Sequence, residues 1–333
     1  MGNRMVIYGG YGGTSDNMPE RRVVAVARRK PGLDGALAFG RTALRTPVSD
    51  LGVQPDDSLD GDVRRRRRRQ RRDVTDLAWS LSLSGSPAWN EIGGRSMPRT
   101  DGATAIFDPI RGRLVTFGGR PSQTYTNEVW MYDLVGNWTQ LTPTGTPPAP
   151  RTGHTTIYDP VRDRMLVYGG TDSVNTYGDV WALSLSGSPA WTHVVTNGGP
   201  PVARFQHVAV YDSQRDRMVV HGGGGPGDTG EMWALNLSTN TWTSVIGSPS
   251  GPGFRQDHVA VYDPINDRIV MFGGTSDDAL WSVNFSGTPT WSQLAHNGTP
   301  PLARSGMAAV YDAPAHSMLI FGGSEAASYD SVE

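Results

Sequence analysis

The 333-residue sequence has no cysteine, one lysine (Lys30), and no apolar run long enough to cross a membrane as a helix. Lack of cysteine excludes a disulfide framework, a thiolate nucleophile and a cysteine-ligated zinc. No nucleophile elbow, phosphate loop, HExxH or paired-carboxylate motif occurs, so no catalytic signature is available to follow. The N-terminus carries no charged region followed by an apolar core, and no signal peptide is read there. What the sequence does contain is 42 glycines and 10 tryptophans, and both recur at a fixed interval.

The stretch RTGHTTIYDPVRDRMLVYGGTDSVNTYGDVWALSLSGSPAW, residues 151–191, shows the unit. Thr155 to Tyr158 is β-branched or aromatic, Asp159 and Pro160 punctuate, and Arg164 to Tyr168 is a second run closed by Gly169 and Gly170. A polar loop leads to a third run over 179–185, and a SGSP turn precedes a fourth at Trp191. Such a four-stranded meander is too small to bury its own faces. Copies solve that problem. Glycine pairs begin at Gly118, Gly169, Gly222, Gly273 and Gly322, steps of 51, 53, 51 and 49 residues. Trp130, Trp181, Trp233 and Trp281 fall on third strands, and Trp138, Trp191, Trp242 and Trp291 on fourth strands, with Trp79 and Trp89 an earlier pair. All read as core.

A period near 50 residues with four short strands, a glycine pair and a downstream tryptophan resembles the kelch repeat. The resemblance implies an all-β fold, a kelch-type β-propeller of four-stranded antiparallel blades. A single propeller domain over 1–333 is expected, with kelch repeats at 76–323 and six blade-like units, seven being the alternative. The ring reads as incomplete at both ends. GNRMVIYGG at the start aligns with a second strand and is expected to pair with the strands of 76–92, and the last unit stops after its second strand.

Residues 21–72 break the pattern. They hold RRRRRRQRR at 64–72 and a net charge of +9, from 15 Lys plus Arg against 6 Asp; the rest of the chain, 15 Arg against 26 acids, is −11. A basic interaction arm and a solvated disordered insertion are two readings. A third is a blade read in a shifted frame: reverse translation of Arg29 to Gly40 with GC-rich codons, moved by one base, yields GSPAW, and Asp56 to Arg66 yields a strand ending in FGG. The expectation is a disordered, arginine-rich insertion of frame-shifted origin, and the acidic body argues against nucleic-acid binding by the repeats.

Recurrent polar residues read as scaffold. Arg99, Arg151, Arg204, Arg255 and Arg304 precede first strands, and Gly102, His154, His207, His258 and Met307 stand three residues on. A ring of three histidines suggests a metal site, but glycine and methionine at matched positions favour structural hydrogen bonds. Asp108, Asp159, Asp212, Asp263 and Asp312 end first strands where a turn needs an acceptor, and Arg113, Arg164, Arg217 and Arg268 open second strands, placed to pair with those aspartates.

Variation is concentrated in the loops after the glycine pairs, 120–127, 171–178, 224–230 and 275–278, where a propeller is expected to carry binding. Tyr125, Tyr177, Asp277 and Asp278 are the candidate ligand-binding residues; no catalytic, cofactor or metal residue is assigned. The expected function is a non-catalytic module that binds a protein or a carbohydrate. The alternative is an enzyme on the same scaffold, such as a sugar mutarotase or epimerase; copper-radical galactose oxidase chemistry is excluded by the lack of cysteine. GSPAW-type turns resemble those of bacterial surface and secreted kelch proteins, which implies an extracellular or cell-surface location.

Overall fold

The computed structural model describes residues 101–325, apart from 122, 135, 136, 228, 229 and 314, and six strands among the first hundred residues. Within the unit dissected above, β-branched and aromatic runs form β11 (Thr155–Asp159), β12 (Arg164–Tyr168), β13 (Val180–Ser184) and β14 (Trp191–Val194). They pair antiparallel in chain order, with Thr155 opposite Tyr168, Asp159 opposite Arg164 and Leu183 opposite Trp191. Three further sheets repeat this order. They are β7 (Thr104–Asp108), β8 (Arg113–Phe117), β9 (Val129–Tyr132), β10 (Trp138–Leu141); β15 (Val208–Asp212), β16 (Arg217–His221), β17 (Met232–Asn236), β18 (Thr241–Ser244); and β19 (Val259–Asp263), β20 (Arg268–Phe272), β21 (Leu280–Asn284), β22 (Thr290–Gln293). The sheets are successive blades of a β-propeller, and no helix occurs among the described residues.

The first-to-second strand turn follows from its aspartate. Asp159 Oδ1 accepts from the amides of Val161 and Arg162, and Asp163 closes the turn at φ 47°. Gly112, Asp216, Asp267 and His316 take the same left-handed conformation in the other units.

Core lies between blades. Ile106, Phe117 and Val129 of one sheet pack against Met165, Leu183 and Trp191 of the next, and Leu166 and Tyr168 against Leu235 and Trp242. Fourth-strand tryptophans Trp138, Trp191, Trp242 and Trp291 are buried, as expected. The third-strand set, Trp130, Trp181, Trp233 and Trp281, is only half-buried: Trp181, Trp233 and Trp281 border the core clusters, Trp181 stacks on His193 of the fourth strand, and Trp130, Trp181 and Trp233 donate their indole N–H to Glu128, Asp179 and Glu231.

Before residue 101 the described strands are β1 (Arg4–Tyr8), β2 (Arg22–Arg28), β3 (Leu37–Ala38), β4 (Gly40–Arg41), β5 (Ala78–Ser82) and β6 (Trp89–Ile92). β1 pairs β5 antiparallel, Met5 opposite Leu81 and Ile7 opposite Trp79, so the N-terminal strand does join the strands of 76–92. The sheet runs β4-β2-β1-β5-β6, with β2 on the edge that a preceding first strand takes in the complete blades. β23 (Arg304–Asp312) pairs with β24 (Ser317–Glu325) and with β3. Of the 21–72 segment only β2, β3 and β4 are described; the arginine run lies outside the described residues.

Candidate functional site

Strands alternate in direction, so the loops after the glycine pairs and the connections that enter the first strands share one face of the propeller. Backbone bridges Thr152–Thr171 and Phe205–Gly224 tie the two sets together. This loop face is the candidate site.

Glycine pairs set its base. The amides of Gly119, Gly170, Gly223 and Gly274 donate to the carbonyls of Arg151, Arg204, Arg255 and Arg304 of the following unit, at 2.8 to 2.9 Å. Each of those arginines reaches back to its own unit, Nη1 donating to the carbonyl of Gly169, Gly222, Gly273 or Gly322 at 2.9 to 3.1 Å. Backbones approach so closely that a Cβ on Gly118 would lie 2.8 Å from the Arg151 carbonyl oxygen and 2.9 Å from His154, with φ already at +68°. Only glycine fits.

The histidines are consumed by the blade interfaces. His154 Nε2 bonds Thr104 Oγ1 and His207 Nε2 bonds Thr155 Oγ1, both at 2.7 Å, and His258 Nε2 bonds His221 Nδ1 at 3.1 Å. Phe117, Tyr168 and His221 stack edge-on against these same histidines, at 5.1 to 5.2 Å between centroids. Burial, reinforced by the positive charges of Arg255 and Arg204, pushes His221 down to about 3; burial likewise holds His258 well below the ordinary imidazole value. Structural hydrogen bonding is therefore the role of all three, and no cluster of metal-ligating side chains occurs among the described residues. One match shifts: Asp101 bridges Arg120 as Thr152 bridges Thr171, which puts Ala103, not Gly102, at the histidine position. The connection after Arg99 is one residue longer than its counterparts.

On the opposite face the aspartates pair as expected, Arg113, Arg164, Arg217 and Arg268 donating through Nε to Asp108, Asp159, Asp212 and Asp263 at 2.7 to 3.1 Å. The sequence reading missed a second tier. Arg111, Arg162 and Arg215 each hold the aspartate of their own turn and fork onto Asp163, Asp216 and Asp267 of the next blade. The available signal was the repeated D-x-x-R-x-R. In the fourth unit Asn266 stands in place of the forking arginine and donates to Asp263.

Each predicted loop residue has its own setting. Tyr177 lies under the Arg151 guanidinium, 4.1 Å from its ring centroid, and donates its hydroxyl to Asp172 Oδ2 at 2.7 Å. Burial, then that hydrogen bond, raises the Tyr177 phenol. Asp172 also accepts from the amides of Val174 and Asn175, whose bonds, with that of Tyr177, hold its carboxyl below the usual range. Val174 stands at the tip of this braced loop, 88% exposed. Tyr125 lies 5.9 Å from the Arg120 guanidinium. Asp277 accepts both oxygens' bonds from Arg255 at 3.1 Å and another from Thr275. Burial alone would raise its carboxyl, but Thr275 and Arg255 keep it lowered. Asp278 is exposed. The four thus sit on three loops of three blades.

The model of the KLHDC2/KLHL20/DRC7 Kelch-repeats domain matches residues 71–274 and 229–332. The chain belongs to the Kelch-repeat family. Among curated Kelch relatives, the putative adagio-like protein 2 of Oryza sativa subsp. japonica is 30% identical over 218 residues, 59% of this chain and 33% of the relative. Host cell factor 1 of Homo sapiens is 31% identical over 186 residues, 49% of this chain and 9% of the relative. The Kelch chain thus spans a third or less of the length of these relatives. A solved structure titled "Structure of YjhT" covers 76% of this chain and 85% of its own with a TM-score of 0.59 at 18% identity, a likeness of fold.

Proposed function

We propose that this Kelch propeller is a non-catalytic protein-interaction module whose partner docks on the loop face. One observation carries the reading: the recurring histidines, aspartates and arginines are bonded into the scaffold, blade to blade, while what differs between blades is the loops after the glycine pairs. A rigid ring that presents four loops of unequal length suits recognition. Relatives named as a host cell factor and a leucine-zipper-like transcriptional regulator point the same way, toward partners that are macromolecules. On this reading Tyr125, Tyr177, Asp277 and Asp278 contact the partner, Tyr177 from a loop held in shape by Asp172.

Hydrogen exchange of the full chain with a peptide selected against it tests this. Protection confined to 120–127, 171–178, 224–230 and 275–278 is expected. Protection on the opposite face would overturn the reading. Binding from a monosaccharide panel with no peptide binding would favour a carbohydrate module instead, and anomer interconversion seen by NMR would favour the enzyme.

A further inference from the structure

In the four complete blades a third strand covers the outer edge of the second. β24 is the exception: its sheet runs β24-β23-β3, and among the described residues no strand lies on its outer side. The other units show which groups this leaves open. Gly118, Gly169 and Gly222 donate their amides outward, to the carbonyls of Glu128, Asp179 and Glu231 just before the third strand. Hydrogen-bonding groups alternate sides along an antiparallel strand, so the residues two and four places before each glycine face the third strand as well. In β24 the matching glycine is Gly322, marked by the Arg304 bond to its carbonyl, and those residues are Ile320 and Met318. Leu319 between them faces β23, opposite Val310. The N–H and C=O groups of Met318 and Ile320 are therefore turned to an edge without a ladder.

Side chains mark the same place. The last four residues of β8, β12, β16 and β20 are buried, whereas their counterparts Met318, Leu319, Ile320 and Phe321 are only half-buried. The preceding blade is uncovered beside them. Leu280, which begins its third strand, is half-buried where Val129, Val180 and Met232 are 1–3% exposed. Leu280, Leu294, Met318 and Ile320 all border one core cluster. Between the first two complete blades the matching residues are Val129, Leu141, Met165 and Val167, and there Leu183, Leu185 and Trp191 of the third and fourth strands close the cluster.

We infer that β24 is a strand-accepting edge whose occupant is an extended segment of another polypeptide, laid antiparallel and patterned like these third strands. That pattern is an aliphatic residue, a tryptophan, a small residue and a second aliphatic, as in VWAL, MWAL and LWSV. By the register of β12 with β13, the four stand opposite Phe321, Ile320, Leu319 and Met318 in turn. The main-chain groups of Met318 and Ile320 give the segment its hydrogen bonds, and its alternate side chains, closing the cluster of Leu280, Leu294, Met318 and Ile320, give specificity. This edge is separate from the loop face and does not rest on the role proposed for it.

A synthetic peptide with the sequence of residues 179–194, DVWALSLSGSPAWTHV, serves as the donor strand and is added to the full chain. Saturable binding is expected, with hydrogen exchange of the Met318 and Ile320 amides slowed at least tenfold and exchange in 171–178 unchanged. Ile320→Pro removes one outward amide and spares the bonds to β23, so it should weaken the peptide at least tenfold, and a scrambled peptide should not bind. No binding, binding without protection of those two amides, or binding that Ile320→Pro leaves unchanged overturns the inference and leaves the loop-face reading untouched. Amides already protected in the chain alone overturn a separate donor: in a dimer by light scattering the occupant is a second copy, and in a monomer it is the chain itself, residues 326–333 if their deletion exposes the amides.

Discussion

At the residue scale, the most informative position is His221. Its counterparts at the end of second strands are Phe117, Tyr168 and Phe272, so a histidine there is an exception. The cause lies on the neighbouring strand. His154 and His207 bond threonines at the first position of the preceding blade's first strand, whereas the residue that faces His258 is Val208, which has no hydroxyl; His221 supplies the missing partner. His221→Phe should therefore cost about 1–3 kcal/mol by stranding the His258 imidazole. Adding Val208→Thr should restore most of it, measured by chemical denaturation. The same pair sets a pH dependence. Above pH 6.5, the ordinary imidazole value, both rings are neutral whether the chain is folded or not. Below it the unfolded chain takes up protons that the buried rings refuse, so stability should fall from pH 6.5 toward about 3, and the double variant should flatten that slope. Asp163, Asp216 and Asp267 act in a lower window. The arginine forks hold their carboxyls below 3.8, so their contribution persists above that value and is lost as pH falls through the lower folded one.

Local turn chemistry is what the sequence expresses best at this scale. Asp159 and Arg164 were legible as partners because five residues of one hairpin join them. The Arg162 fork onto Asp216 was not, since 54 residues separate the two and each already has a local task. The left-handed backbone of Gln206 and Asp257, at φ 59° and 53°, was not legible for another reason: such a conformation leaves a trace in sequence when glycine occupies it, and here glycine is absent.

At the scale of elements, the glycine pairs decide how closely blades approach. Gly118→Ala should destabilise by about 1–3 kcal/mol, through left-handed strain together with collision against the Arg151 carbonyl and His154, and thermal melting reads it directly. The two tryptophan sets should part company under truncation. Trp191→Ala opens a cavity against Phe117, about 3–5 kcal/mol, while Trp181→Ala, half-exposed over His193, should cost less than half as much. Sequence alone put both sets in the core, because periodicity reports position in the repeat and not depth. Loop shape was equally hidden. That 171–178 is variable could be read; that Asp172 gathers Val174, Asn175 and Tyr177 around itself could not.

On the scale of the whole molecule, the all-β propeller, the strand order and the pairing of the N-terminal strand with residues 78–82 were all legible, since a 50-residue period leaves a small set of solutions. The position of β2, on the edge where a preceding first strand lies in other blades, was not. It breaks chain order, and no pattern in RVVAVAR announces the strand it borders.

The blade interfaces are built from the same few couplings: a fork from arginine to the next aspartate, a histidine received by the blade before, and a glycine amide on the next arginine's carbonyl. The units of residues 151–194 and 204–244 consequently carry both the plug and the socket of each of these junctions. A duplicated or deleted unit would meet neighbours it already matches, and gene rearrangement could lengthen or shorten the array without inventing a new contact. Lineages built this way can alter the loops of one copy while its twins keep the array together.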